Sequence, residues 1–127
     1  LLERIKKILA PLGFGRFVVT TPELHDEMIA YTSQLAHVVS SAYAMNPAAQ
    51  NHKGYSAGSY KDLTRVARLN VNMWTELLMA NRDNLAMHLE RLTEVLEEYK
   101  AAISKGDEAK IAELLEKGRV SKQEAES

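Results

Sequence analysis

The chain has 127 residues, 46% hydrophobic and 26% charged, with a formal net charge of -1; this is the balance of one folded domain and excludes a disordered chain. No basic excess exists to hold nucleic acid or an anionic membrane surface, so neither partner is expected. The absence of cysteine excludes disulfides, thiolate nucleophiles and zinc–thiolate sites, and no apolar run approaches the roughly 20 residues of a membrane span.

The opening stretch, LLERIKKILAPLGFG, predicts a short helix. Leu1, Ile5, Ile8 and Leu9 fall on one face, and Arg4, Lys6 and Lys7 lie largely elsewhere. It has neither the long apolar core nor the small-residue cleavage site of a signal peptide, and it reads as the start of an excised piece near a domain boundary. Pro11 and Gly13 end the helix. Residues 14–21, FGRFVVTT, are β-branched and aromatic and predict a strand. A lone strand is not stable, so it is expected to pair with a symmetry mate or a sheet outside the chain. Gly13-x-Gly15 lacks a third glycine and a following helix, which disqualifies it as a phosphate loop.

TPELHDE is a helix start: Thr21 caps, Pro22 suits the first turn, and Glu23, Asp26 and Glu27 favour the positive end of the dipole. The helix is expected to run to about Met45. Met28, Leu35, Val38, Val39, Ala42 and Met45 make an apolar stripe for the core. Asp26, Ala30, Ser33, His37 and Ser40 make a second stripe, small and polar, expected to wall a site or form a tight helix contact.

Residues 46–60 form a loop with Pro47, Gly54 and Gly58. A helix is expected from about Lys61, with Lys61, Arg65 and Arg68 on one face. Arg65 stands out. It follows a glycine-bearing loop, Tyr55, Tyr60 and Trp74 are near enough in sequence to orient a guanidinium, and arginine grips a carboxylate through two parallel hydrogen bonds. Asn70 caps a short helix carrying Trp74, Leu77 and Leu78. Asn81 leads into the longest helix, whose Leu85, Leu89, Leu92, Leu96, Tyr99 and Ile103 make a coiled-coil-like seam. Gly106 closes it, Asp107 caps a last helix, Gly118 is expected to end that helix, and residues 119–127 are expected to fray.

The four histidines lack the spacing of a helical zinc site, and no G-x-S-x-G is present, so metal and serine-hydrolase chemistry are not expected. His88 is expected to pack and His52 to be solvated. His37 shares a face with Ser33 and Asp26 and is either a satisfied interior histidine or a ligand group.

TPELHDEMIAYTSQLAHVV, GYSAGSYKDLTRVA and MWTELLMANRDNL together resemble the C-terminal helical domain of prephenate dehydrogenases. The pattern is matched at Thr21, Pro22, His25 and Asp26, then at Ser33, Leu35 and His37. It continues at Gly58, Asp62, Thr64, Arg65, Val66 and Ala67, and ends at Trp74, Leu78 and Asn81. Gln34 and Ala36 depart from it where the family often has His and Pro, and Met73 departs before the Trp. The resemblance implies a mainly α helical bundle similar to the C-terminal domain of 6-phosphogluconate dehydrogenase. Residues 1–20 would be a helix and strand left over from a Rossmann domain, residues 21–118 the substrate-binding and dimerisation domain, and 119–127 a tail.

The function it implies is the oxidative decarboxylation of prephenate to 4-hydroxyphenylpyruvate, in tyrosine biosynthesis in the cytoplasm, by a homodimer. The resemblance places NAD or NADP and the catalytic histidine in an N-terminal domain, and no G-x-G-x-x-G occurs here to bind a dinucleotide. Arg65 would hold a carboxylate of prephenate or a similar small dicarboxylate. His37 and Ser33 would line the pocket, Gly58, Lys61 and Asp62 would form a rim extending toward the neighbouring subunit, and Trp74 would exclude water. His25 and Asp26 would order the helix start, and Arg68 lies outside the pattern. Tyrosine is a candidate inhibitor. The rival readings are a non-catalytic helical dimerisation or regulatory module binding an aromatic amino acid, an arogenate-preferring relative, and another β-hydroxyacid-type dehydrogenase.

Overall fold

A computed structural model describes residues 1–9, 11, 20–55 and 57–127. Among them the regular elements are all helical: α1 Leu2–Leu9, α2 Pro22–Ile29, α3 Ala36–Ala44, α4 Gly58–Thr64, α5 Val71–Ala80, α6 Arg82–Lys105 and α7 Glu108–Glu126, with a π-helical turn Ala30–Leu35 and a 3-10 turn Pro47–Asn51. The mainly α class is borne out. Except for Thr20 and Thr21, the strand expected over 14–21 lies outside the described residues.

Caps written in the sequence set several boundaries. Thr21 Oγ1 accepts the Leu24 N–H at 3.1 Å and Pro22 is the next residue. Asn70 Oδ1 accepts the Met73 N–H at 3.0 Å, and Asp107 Oδ1 the Lys110 N–H at 3.0 Å. Asn46 starts the 3-10 turn by accepting the Ala48 N–H at 2.9 Å.

The helix expected over 21–45 is continuous but holds the π turn in its middle. The wider turn rotates α3 relative to α2, so neither stripe keeps one face. Of the apolar set, Leu35 is buried and Val38 and Val39 pack beside it, whereas Met28 and Met45 are 47% and 75% exposed. The small stripe supplies the tight contact: Ala30 is fully buried and Ser40 nearly so, while Asp26 is exposed. Small side chains there let α6 pack closely on the π turn. The core is Ala30, Leu35 and Leu85, flanked by Val38, Val39, Leu78 and Leu92. A second contact joins α6 to α7, where Ala102 and Leu114 are buried.

Two further expectations are corrected. Helix α4 begins at Gly58 and stops at Thr64, where Thr64 Oγ1 bonds back to Tyr60 O at 2.7 Å. Arg65 is therefore its C-cap, still with helical dihedrals (φ -53°, ψ -35°), and Arg68 lies beyond the helix, so the three do not line one helical face. Gly118 does not end α7, which runs to Glu126. Side-chain pairs carry the helix through: Arg119 binds Glu116 at 2.6 Å, Lys117 binds Glu113 at 3.1 Å and Lys122 binds Glu126 at 3.0 Å. The hydrogen bond from Lys117 holds the Glu113 carboxyl below the usual range, and Arg119 does the same for Glu116. A lowered folded-state value means that this pairing helps at neutral pH and is lost as the pH falls through it.

The two glycines make a test with opposite signs. Gly106 has φ +66° at the end of α6, and Gly118 is inside α7 with open space where a Cβ would stand. Gly106→Ala is expected to destabilise the chain by about 1 kcal/mol and Gly118→Ala to stabilise it by a similar amount. Urea denaturation of the two variants checks both signs.

Candidate functional site

The exit of the π turn builds the first part of the site. There the Ser33 carbonyl accepts the Ala36 backbone N–H and is also met by the His37 ring, Nδ1 lying 2.7 Å away. A carbonyl oxygen only accepts, so Nδ1 carries the hydrogen. Nε2 of the neutral ring is then a lone pair, and none of the described residues bonds it. The ring stacks on Trp74, with centroids 4.2 Å apart and planes inclined by 25°. Ser33, His37 and Trp74 are each half-buried. Thus α3, the π turn and α5 bring together three of the residues singled out in the sequence. The partner of His37 is the Ser33 backbone, not a serine hydroxyl.

The second part is cationic. Helix α4 packs against α3. Gly58, Lys61 and Asp62 lie on α4 and Arg65 at its C-terminal end, all exposed. Among the described residues none forms an ion pair with Lys61, Asp62 or Arg65. A Cβ at Gly58 would meet open space, so nothing within the chain requires glycine there. Arg65 is exposed, not buried among the aromatic residues as expected. Trp74 stacks on His37, Tyr60 packs against His52 at 4.7 Å and Tyr43 at 6.4 Å, and Tyr55 is 89% exposed. His52 is likewise half-buried beside Tyr60, not solvated as expected. His88 packs near Tyr31, at 5.5 Å.

A separate groove of about 800 Å³ opens between α3, residues 46–60 and α6, lined by Val38, Val39, Ala42, Tyr43, His52, Tyr60, Leu89, Leu92 and Leu96 among others. None of the seven predicted site residues lines it. Sequence reasoning also missed Asn81 and Gln34, whose amides join at 3.0 Å across 47 residues. The sequence marked Asn81 as a match to the family pattern between two helices and Gln34 as a departure from it, and neither reading announces the bond between them. Among the described residues no helix is long and apolar enough to cross a membrane.

The prephenate dehydrogenase dimerization domain matches residues 21–117. A prephenate dehydrogenase of Lactococcus lactis is 26% identical over 129 residues, which cover 98% of this chain and 36% of that protein. A Synechocystis arogenate dehydrogenase superposes with a TM-score of 0.81 at 22% identity, covering 98% of this chain and 47% of that one. The A. aeolicus prephenate dehydrogenase, solved with hydroxyphenyl propionate and NAD+, gives 0.77 at 26% identity, covering 98% and 45%. The chain thus spans about a third of the curated relative's length and under half of each structure. Since the match takes in α2 to α6 and the first half of α7, the chain belongs to the prephenate dehydrogenase dimerization-domain family, the C-terminal helical domain of those oxidoreductases.

Proposed function

We propose that this chain is the substrate-binding and dimerisation part of an NAD-dependent prephenate dehydrogenase, which oxidatively decarboxylates prephenate to 4-hydroxyphenylpyruvate. One observation carries the reading. His37, its Nδ1 tied back and its Nε2 open, lies on the helix against which α4 packs, and Arg65 is the C-cap of α4 with Lys61 also uncommitted to any described carboxylate. A small dianion with a hydroxyl group calls for this combination of fixed positive charge and an acceptor nitrogen.

Arg65 takes a substrate carboxylate, His37 and Ser33 line the pocket, and Trp74 covers the His37 ring. Gly58, Lys61 and Asp62 stand on the rim, where a neighbouring subunit completes the site. The hydroxyphenyl propionate bound to the A. aeolicus enzyme is an aromatic carboxylate of matching chemistry. We assign NAD or NADP to the part of the enzyme outside residues 21–118, since the sequence carries no dinucleotide fingerprint, and the catalytic histidine to the same part, as the family resemblance implies.

The purified 127-residue chain is expected to show no NAD reduction with prephenate, and the full-length protein to show it. Robust turnover by the chain alone would overturn the division of labour. The full-length assay, run with prephenate and arogenate and with NAD and NADP, fixes the substrate. Inactivity with both substrates would favour the non-catalytic module.

A further inference from the structure

Asn81 stands where α5 meets α6, yet its side chain does not cap α6. It reaches back to the helix that carries the site. Its Nδ2 donates to the Asp26 carbonyl at 2.8 Å and to Gln34 Oε1 at 3.0 Å, and its Oδ1 accepts from Asn84 Nδ2 at 2.9 Å. The Asp26 carbonyl can only accept, which fixes the orientation of the Asn81 amide and, through it, the oxygen of Gln34. Asp26 belongs to α2, and Gln34, 7% exposed, lies inside the π turn. A single amide therefore ties the segment before the π turn to the turn itself.

An isolated helix has no reason to keep a π turn, whose hydrogen-bond spacing is rare and found mostly at functional sites. Here a long-range clamp spans it, from the Asp26 carbonyl to Gln34. The turn in turn offers the Ser33 carbonyl to His37 Nδ1. We infer that Asn81, acting through Gln34, is a positioning residue that fixes the tautomer of His37, so that Nε2 meets a ligand as an acceptor and not as a donor. Which nitrogen bears the proton decides whether that face of the pocket accepts from a hydroxyl or donates to a carboxylate. The chemical part of this inference stands on the structure; its consequence for substrate rests on the proposed function.

Nitrogen-15 spectra of the imidazoles, taken on the 127-residue chain in alkaline buffer, test it directly. In the unaltered chain His37 Nε2 is expected to give the resonance of an unprotonated nitrogen and Nδ1 that of a protonated one. Asn81→Asp keeps the shape and removes both donors, and Gln34→Met keeps the length and removes the acceptor. Each is expected to move Nε2 toward the averaged position of mixed tautomers. Gln34→His retains an acceptor nitrogen and is expected to restore the original position, and Trp74→Phe to leave it in place. A protonated Nε2 in the unaltered chain, or no shift in either loss variant, overturns the inference. So does loss of helical circular dichroism in both, because the clamp would then be purely structural. Binding of hydroxyphenyl propionate to the full-length protein is the separate arm. If the unaltered protein fails to bind it, the proposed function fails while the tautomer result stands.

Discussion

Replacing Arg65 by alanine in the full-length protein is expected to raise the Michaelis constant for prephenate steeply while leaving NAD affinity nearly unchanged. Prephenate carries two carboxylates at neutral pH, and its site must supply fixed positive charge. Losing a forked hydrogen bond to a carboxylate costs roughly 2–5 kcal/mol, or about 30-fold to a few thousand-fold in apparent affinity. Arg65→Lys is expected to recover only part of this, because an ammonium keeps the charge but not the planar fork. Helical stability is expected to stay put, since Arg65 is exposed and comes after the last residue of α4. Arg68→Ala, at a neighbouring exposed arginine outside the family pattern, serves as the control. Unchanged prephenate kinetics in Arg65→Ala, or an unfolded variant, would make Arg65 a structural cation and remove the basis for its role.

Local chemistry was legible in the sequence wherever one residue acts on its neighbours. Thr21, Asn70, Asp107 and Gly106 mark helix ends through bonds or dihedrals confined to a few residues, and all four do so in the structure. Legibility failed where distant residues decide. The π turn is bonded through Gln34 to Asn81, 47 residues further on, and no local periodicity announces it. The face assignments for Met28 and Met45 failed with it. Gly118 misled for a different reason: glycine is a poor helix former, but the ion pairs on either side of it keep α7 intact. Of the site residues, Ser33, His37 and Trp74 lie together in the structure. The expectation that Tyr55 and Tyr60 shelter Arg65 did not hold, because Tyr60 has His52 and Tyr43 to pack against.

Leu96→Glu is expected to convert a dimer into a monomer. Among the described residues only Ala30, Leu35, Leu85, Ala102 and Leu114 form a buried hydrophobic core, a thin one for a chain of this length. Much of the α6 seam stays open: Leu89 is 38% exposed, Leu96 55% and Ile103 63%, with Val95 at 43% beside them. Leu89, Leu92 and Leu96 also floor the groove of about 800 Å³. A continuous apolar face of this extent marks an interaction surface. We propose that a second copy of the chain covers it, in keeping with the dimerization-domain family to which it belongs. An obligate interface of that kind buries well above about 2,000 Å² in total. Two-fold symmetry places the same residue on both sides, so one substitution buries two carboxylates, each costing several kcal/mol when unpaired. Light scattering is therefore expected to give the mass of two chains before the change and one after it, with helical circular dichroism retained. A dimer that survives Leu96→Glu would place the interface elsewhere, and an unaltered chain that stays monomeric at high concentration would leave the groove without the partner proposed for it.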